Sequence, residues 1–266
     1  MISILGLLLL MAAFWIIYKS MQTEKWKTTT QELPEKCQIF LSDKVVFYKS
    51  LSESEKRRFE KNIQEFILNY KIIGIDTEVT DEDRLLVAAS AIIPIFGFPD
   101  WRYQNLRIVQ LYPDMFNENF ETEGKGRRTL GMVGTGFMDG KMILSKPALY
   151  HGFDNESDKK NTAIHEFVHL IDKSDNAIDG IPQILLDKQY SIPWLDLINK
   201  EINKIYENKS DINPYGGTNS AEFFAVTSEY FFERPKLLKR KHPELYQLLE
   251  EIFNQKMTKR NLKKFW

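Results

Sequence analysis

His165-Glu166-Phe167-Val168-His169 places two imidazoles four residues apart with a carboxylate beside the first, in a chain that has only four histidines among 266 residues. On a helix, positions i and i+4 share a face, so both rings can reach one metal ion. Zinc held this way lowers the pKa of its water to about 7, and Glu166 is close enough in sequence to take the proton as that water attacks a carbonyl. The pattern H-E-x-x-H arises by coincidence in a chain of this composition at roughly the one-per-cent level. A catalytic zinc needs a third protein ligand, and three acids compete for that place. Asp175 stands six residues after His169, but the turn it would need has Asp172 where glycine is expected. Glu222 and Glu229 are seven residues apart and share a face of a later helix. Spacing does not choose between them: Glu222 also suits a capping glutamate three residues after Asn219, and Glu229 suits either a solvated acid or a partner that orients a ligand histidine.

Other reactive residue types carry less. Asp172 reads as a carboxylate that supports a ligand or closes a helix end, not as a ligand itself, and His151 and His242 read as structural or surface residues. The single cysteine, Cys37, excludes an internal disulfide and a cysteine-based zinc module. No phosphate-binding loop and no G-x-S-x-G elbow occurs, and Gly134, Gly136 and Gly140 miss the dinucleotide fingerprint by one residue. The segment 131–137 reads either as a plain loop or as an edge strand along which a peptide backbone could align.

The elements that must position these residues follow from periodicity. Thr162, Ala163 and Ile164 lead into the motif, and Phe167, Val168, Leu170 and Ile171 give it an apolar packing face, so the spacing predicts a helix over about 160–173. Helical patterns also cover the run opened by Ser52-Glu53-Ser54-Glu55, the nearly all-apolar 81–95, and 183–207, 219–233 and 243–256. Strand-like runs occupy 107–112 and 141–145. Helices, a small sheet, then helices again indicate an α+β fold, mainly helical. Lys+Arg 36 against Asp+Glu 37 leaves a net charge of −1, which argues against a nucleic-acid partner. Residues 2–18 carry no charge, would span about 26 Å as a helix, and are followed by Lys19, Lys25 and Lys27. The sequence thus predicts one N-terminal transmembrane helix (1–19), a polar tether (20–36) and a catalytic domain (37–266). The lysines after the span place that domain on the cytoplasmic side of a cell inner membrane crossed once.

Three stretches together resemble the zinc-dependent peptidases of the Mlc titration factor A family, whose zincin-like core is related to the catalytic domain of anthrax lethal factor. These are His165 to Asp172, the run Asn213-Pro214-Tyr215-Gly216-Gly217-Thr218-Asn219-Ser220-Ala221-Glu222-Phe223-Phe224-Ala225 with its continuation to Phe232, and weaker matches at 85–91 and 143–145. The resemblance spans about residues 37–256. It implies that Glu222 is the third metal ligand beside His165 and His169, and that Tyr215 faces the metal. As a phenol there, Tyr215 would hydrogen-bond the oxyanion, against the plain reading of an exposed loop aromatic. The expected protein is a membrane-anchored metallopeptidase with one Zn2+ per chain, Glu166 as general base and a peptide or protein substrate. The resemblance adds aminopeptidase activity and a protein regulator. The rival expectation is a zinc-containing binding module that sequesters a transcriptional regulator without catalysis.

Overall fold

Thr80 and Asp83 start the central helix of the protein. In the computed structural model, which describes Trp15 and residues 25–260 apart from Thr135, Glu156, Asn176, Ile184, Leu186 and Asp187, the Thr80 hydroxyl accepts the Asp83 N–H at 3.2 Å and the Asp83 carboxylate accepts the Thr80 N–H at 2.7 Å. This reciprocal capping satisfies two donors that a helix leaves open at its start. Every residue from Leu85 to Ile95 is then buried. Ser90, the polar residue of that run, returns its hydroxyl to the Leu86 carbonyl at 2.9 Å.

In chain order the elements are α1 (Glu35–Lys44), α2 (Glu53–Asn69), β1 (Lys71–Gly74), α3 (Asp81–Ile95), β2 (Leu106–Tyr112), β3 (Gly131–Val133), β4 (Gly140–Ser145), α4 (Lys146–Asp154), α5 (Thr162–Asp172), α6 (Lys188–Tyr206), α7 (Ser220–Glu233), α8 (Pro235–Lys241) and α9 (Pro243–Phe253), with short single turns between some of them. The fold is α+β and mainly helical. Its sheet has the order β1-β2-β4-β3. Strands β1, β2 and β4 run parallel, with Val109 opposite Ile72 on one side and Met142 on the other. β3 pairs antiparallel to β4, Met132 opposite Ile143, and forms one edge.

The expected strands coincide with β2 and β4. The sequence pattern passed over β1, a four-residue strand too short to show alternation, and the short helices α1, α4 and α8. Among the described residues two apolar clusters result. The larger one runs through α2, α3, α5, α7 and α9, with Phe59, Phe167, Phe224 and Phe253 sealed inside. The smaller one, Tyr112, Phe116, Met138 and Ile143, pins the long β2–β3 and β3–β4 connections against the sheet. Within the stretch expected to be a tether, Leu33 is buried and Trp26 packs on the larger cluster.

The expected location is corrected. Among the described residues no helix is long and apolar enough to cross a membrane, so a single-pass inner-membrane protein with a cytoplasmic catalytic domain is not supported. The span expected over residues 2–18 falls, Trp15 apart, outside the described residues.

Candidate metal centre

Helix α5 is fixed at its first turn by Asn161. The Asn161 side chain accepts the Ile164 N–H at 3.1 Å and donates to the Gly152 carbonyl at 2.8 Å. The first bond supplies a helix cap and the second ties α5 to α4. Gly152 is required there: a Cβ on it would lie 2.6 Å from the Asn161 side chain. Ala163, Ile164, Phe167, Val168, Leu170 and Ile171 all sink into the core, and α5 packs between α3 and α7. This leaves His165, Glu166 and His169 on the remaining face, along a cleft of 620 Å³ that is also lined by β3, Tyr215 and the start of α7.

Helix α7 brings the third group. Asn219 caps it by accepting the Glu222 N–H at 2.9 Å. The Glu222 carboxylate does not turn back to the cap; it points across to α5, where Oε2 lies 3.0 Å from His165 Nε2 and 3.5 Å from His169 Nε2. The two Nε2 atoms are themselves 3.0 Å apart. Two imidazole nitrogens and one carboxylate oxygen thus converge on one point, a donor set suited to zinc and able to leave a position open for water. These three residues form the one group of this kind among the described residues. Of the other candidates, Glu229 Oε1 accepts the His165 Nδ1–H at 2.8 Å, and its Oε2 accepts the Asn161 N–H at 2.5 Å. One carboxylate therefore fixes both the ring of His165 and the start of its helix, leaving Nε2 to face the cleft. Asp175 stands outside the group, in a short turn where it accepts the Ala177 N–H at 2.9 Å. Asp172 accepts the Gly180 N–H at 3.0 Å, and burial lifts its carboxyl to about 6.

The electrostatics follow from this packing. Burial disfavours a charged His165, yet the hydrogen bonds to Glu222 and Glu229 outweigh it and raise its pKa to about 10. Burial likewise acts against a charged Glu222, and the bonds from His165 and His169 hold it down at about 2. Glu166 is buried beside them, and burial pushes its carboxyl above the usual range while the two histidines pull the other way. Gly131 makes room for it: a Cβ at that position would lie 2.7 Å from Glu166 Cγ and 2.8 Å from its Oε1. Tyr215 stands on a single turn, Pro214–Gly217, held by Asn213, which accepts the Tyr215 N–H at 3.1 Å. Its ring centroid is 6.1 Å from that of His165, the residue is 54% exposed, and its phenol is raised by partial burial and by the Glu222 charge. Sequence reading passed over the packing role of Gly131, within the segment 131–137 that it did single out, and passed over Asn161. The second carried a signal, an asparagine directly before a helix start; the first carried none, since its need for a bare Cα arises only where β3 meets α5.

Residues 18–254 match the model of the glucose-regulated metallo-peptidase family M90. The chain belongs to that family. Among relatives of the M90 chain, an uncharacterized protein of Synechocystis sp. is 31% identical over 232 residues, 83% of this chain and 84% of that one. Mlc titration factor A of Pectobacterium atrosepticum is 26% identical over 220 residues, covering 77% and 81%. The protein of the same name from Escherichia fergusonii is 26% identical over 250 residues, covering 87% and 91%. The resemblance to the Mlc titration factor A family is thereby established, and with it a metallopeptidase-type chain for which a metal is implied.

Proposed function

We propose that this M90 chain is a zinc-dependent peptidase with one Zn2+ held by His165, His169 and Glu222. The observation that carries the reading is the convergence of His165 Nε2, His169 Nε2 and Glu222 Oε2 beside a buried Glu166. Bound there, zinc supplies Lewis acidity, which acidifies water and polarises a carbonyl. The remaining work falls to the side chains of the chain itself. Glu166 is the general base: its carboxylate takes the proton of the attacking water and then passes it to the leaving amine. Burial moves Glu166 toward neutrality, which suits a group that must accept a proton and give it back at ordinary pH. Tyr215 extends its phenol from the Pro214–Gly217 turn and donates a hydrogen bond to the oxyanion. Strand β3 ends the sheet, so its outer backbone groups are available to a peptide laid along Gly131–Val133. Short peptides with a free amino terminus are the substrate class that the family resemblance favours.

A second reading has its own support, because several relatives carry the name Mlc titration factor A. In it the chain holds zinc and sequesters a protein regulator without cleaving anything. One experiment separates the two. Peptide cleavage by the purified protein, with and without a chelator, is compared with that by Glu166→Gln, which keeps shape but removes the base. The peptidase reading expects cleavage that the chelator abolishes and a loss of about 10²–10⁴-fold in the variant at unchanged zinc content. Wild-type cleavage rates in a zinc-replete Glu166→Gln variant would exclude Glu166 as the base. No cleavage by either form, with equal binding of a regulator, favours the second reading.

A further inference from the structure

A second cavity, of 350 Å³, lies between the end of α1, the start of α5 and the α7–α8 junction. Val46, Phe47, Ile93, Phe153 and Ile164 give it apolar walls. Asn161 also lines it, but both ends of that amide are committed, to Ile164 and Gly152. Asn161 therefore has little to offer a ligand, whereas both carboxyl oxygens of Glu233, in the same wall, are buried without a hydrogen-bond partner among the described residues.

The charged groups of the cavity are mostly of one sign. Lys44, Arg234, Lys236 and Arg240 all line it. Lys44 is paired with Asp154 at 2.9 Å, and Arg234 donates to the Ser157 carbonyl at 2.9 Å. Lys236 and Arg240 make no hydrogen bond or ion pair among the described residues. Glu233 is the acid of the wall; burial, together with the charge of Glu229, lifts its pKa to about 9, so at neutral pH it is uncharged and leaves the cations unopposed. An apolar pocket of this size with two uncommitted cations is complementary to a molecule with one oily part and one negative end.

We propose that this cavity is a binding site for a small carboxylic-acid amphiphile, its apolar chain against Val46, Phe47, Ile93, Phe153 and Ile164 and its carboxylate on Lys236 and Arg240. The site is separate from the metal centre and does not depend on the peptidase reading. It is nevertheless close to that centre in bonds: Asn161, in the cavity wall, gives its N–H to the same Glu229 that holds His165.

Calorimetric titration of the full chain with sodium decanoate tests the site. The expected result is saturable binding of one molecule per chain. The double variant Lys236→Glu, Arg240→Glu changes two surface residues of α8, so it keeps the fold, and should bind at least about tenfold more weakly, the loss of charge-assisted hydrogen bonds. Val46→Trp, at a half-buried wall position, should weaken binding by obstructing the chain. Decyltrimethylammonium has the same tail with the opposite charge and should bind at least about tenfold more weakly than decanoate to the unchanged protein. Absence of saturable binding, equal affinity for the two amphiphiles, or unaltered decanoate affinity in the charge-reversed variant would each overturn the proposal.

Discussion

At the scale of single residues, His165 is the most constrained group of the centre. Its Nδ1 faces Glu229 at 2.8 Å and its Nε2 faces Glu222 at 3.0 Å, and the pair of carboxylates raises its pKa to about 10. A histidine ligates a metal through a free lone pair, so with the proposed ligand set metal uptake would expel a proton and strengthen as pH rises. The two glutamates have unequal parts in it. Glu222 offers an oxygen to the shared point, whereas Glu229 is bonded to the far nitrogen of one ring and to the backbone of Asn161. Zinc titration of single alanine variants should rank them accordingly. Glu222→Ala is expected to lose the metal most severely, Glu229→Ala to weaken it by about 10–100-fold, and Asp175→Ala to bind as the unchanged protein does. An Asp175→Ala protein that alone failed to retain zinc would overturn the ligand set. Of these residues, His165, Glu166 and His169 are legible in the sequence because four-residue spacing on a helix is itself the chemistry. Glu222 is not: 57 residues separate it from His165, and no spacing rule spans the packing of α7 on α5. Only the family resemblance selected it. Gly131 stayed hidden for the same reason, since its role exists only where a strand edge meets a helix.

At the scale of elements, the helix that carries Glu222 and the turn that carries Tyr215 are buttressed by a buried ionic cluster. His242, between α8 and α9, donates from Nδ1 to Glu201 at 3.0 Å and from Nε2 to Asp211 at 2.9 Å. Asp211 also accepts from Tyr230 at 2.8 Å and pairs with Lys241 at 3.1 Å, and it lies just ahead of the turn that presents Tyr215. The cluster makes stability depend on pH in a direction that can be worked out. Burial opposes a charged His242, but Glu201 and Asp211 raise its pKa above the ordinary value. Its contribution is therefore complete below about pH 6.5 and is lost as pH climbs through the raised value. Burial also opposes a charged Glu201, yet His242 and Lys204 lower its pKa. That contribution is complete above about pH 4.3 and is lost as pH falls through the lowered value. The pairing is thus strongest between about pH 4.3 and 6.5. Urea unfolding midpoints measured from pH 6.5 upward should decline more steeply for the unchanged protein than for His242→Gln. Equal slopes would show that His242 does not carry the effect. None of this was legible beforehand, because His242 sits in no motif and its partners come from two other segments. Helices with clear periodicity, such as α2, α5 and α9, were visible, as was the long apolar run of α3; β1, α1, α4 and α8 were not, since four to ten residues give too few repeats to reveal a period.

At the scale of the whole molecule, the question is where the folded unit begins. Composition alone sets its start near Cys37, because residues 20–36 are mostly polar and the apolar side chains of Trp26 and Leu33 stand alone in sequence. In space they are not alone. The Trp26 indole N–H donates to Glu65 at 3.0 Å, its ring meets Tyr70 edge-on at 5.8 Å, and the Arg102 guanidinium lies 5.0 Å from its centre. Glu65 is itself buried and pairs with Arg102 at 3.5 Å, so the indole completes the hydrogen bonding of a carboxylate on α2 that would otherwise lack one partner. A short polar segment thereby becomes a strap across the α2 face, a role that hydropathy cannot display because one aromatic does the anchoring. Removing that aromatic tests the strap. Trp26→Ala deletes a half-buried ring and one bond to a buried carboxylate, about 2 kcal/mol together, which for a chain of this size lowers the melting temperature by on the order of 5 °C. A chain that starts at Cys37 loses Leu33 as well and should melt lower still. Should the shortened chain and the Trp26→Ala protein both melt with the unchanged one, the folded unit begins at Cys37 and residues 25–36 lie on it without stabilising it.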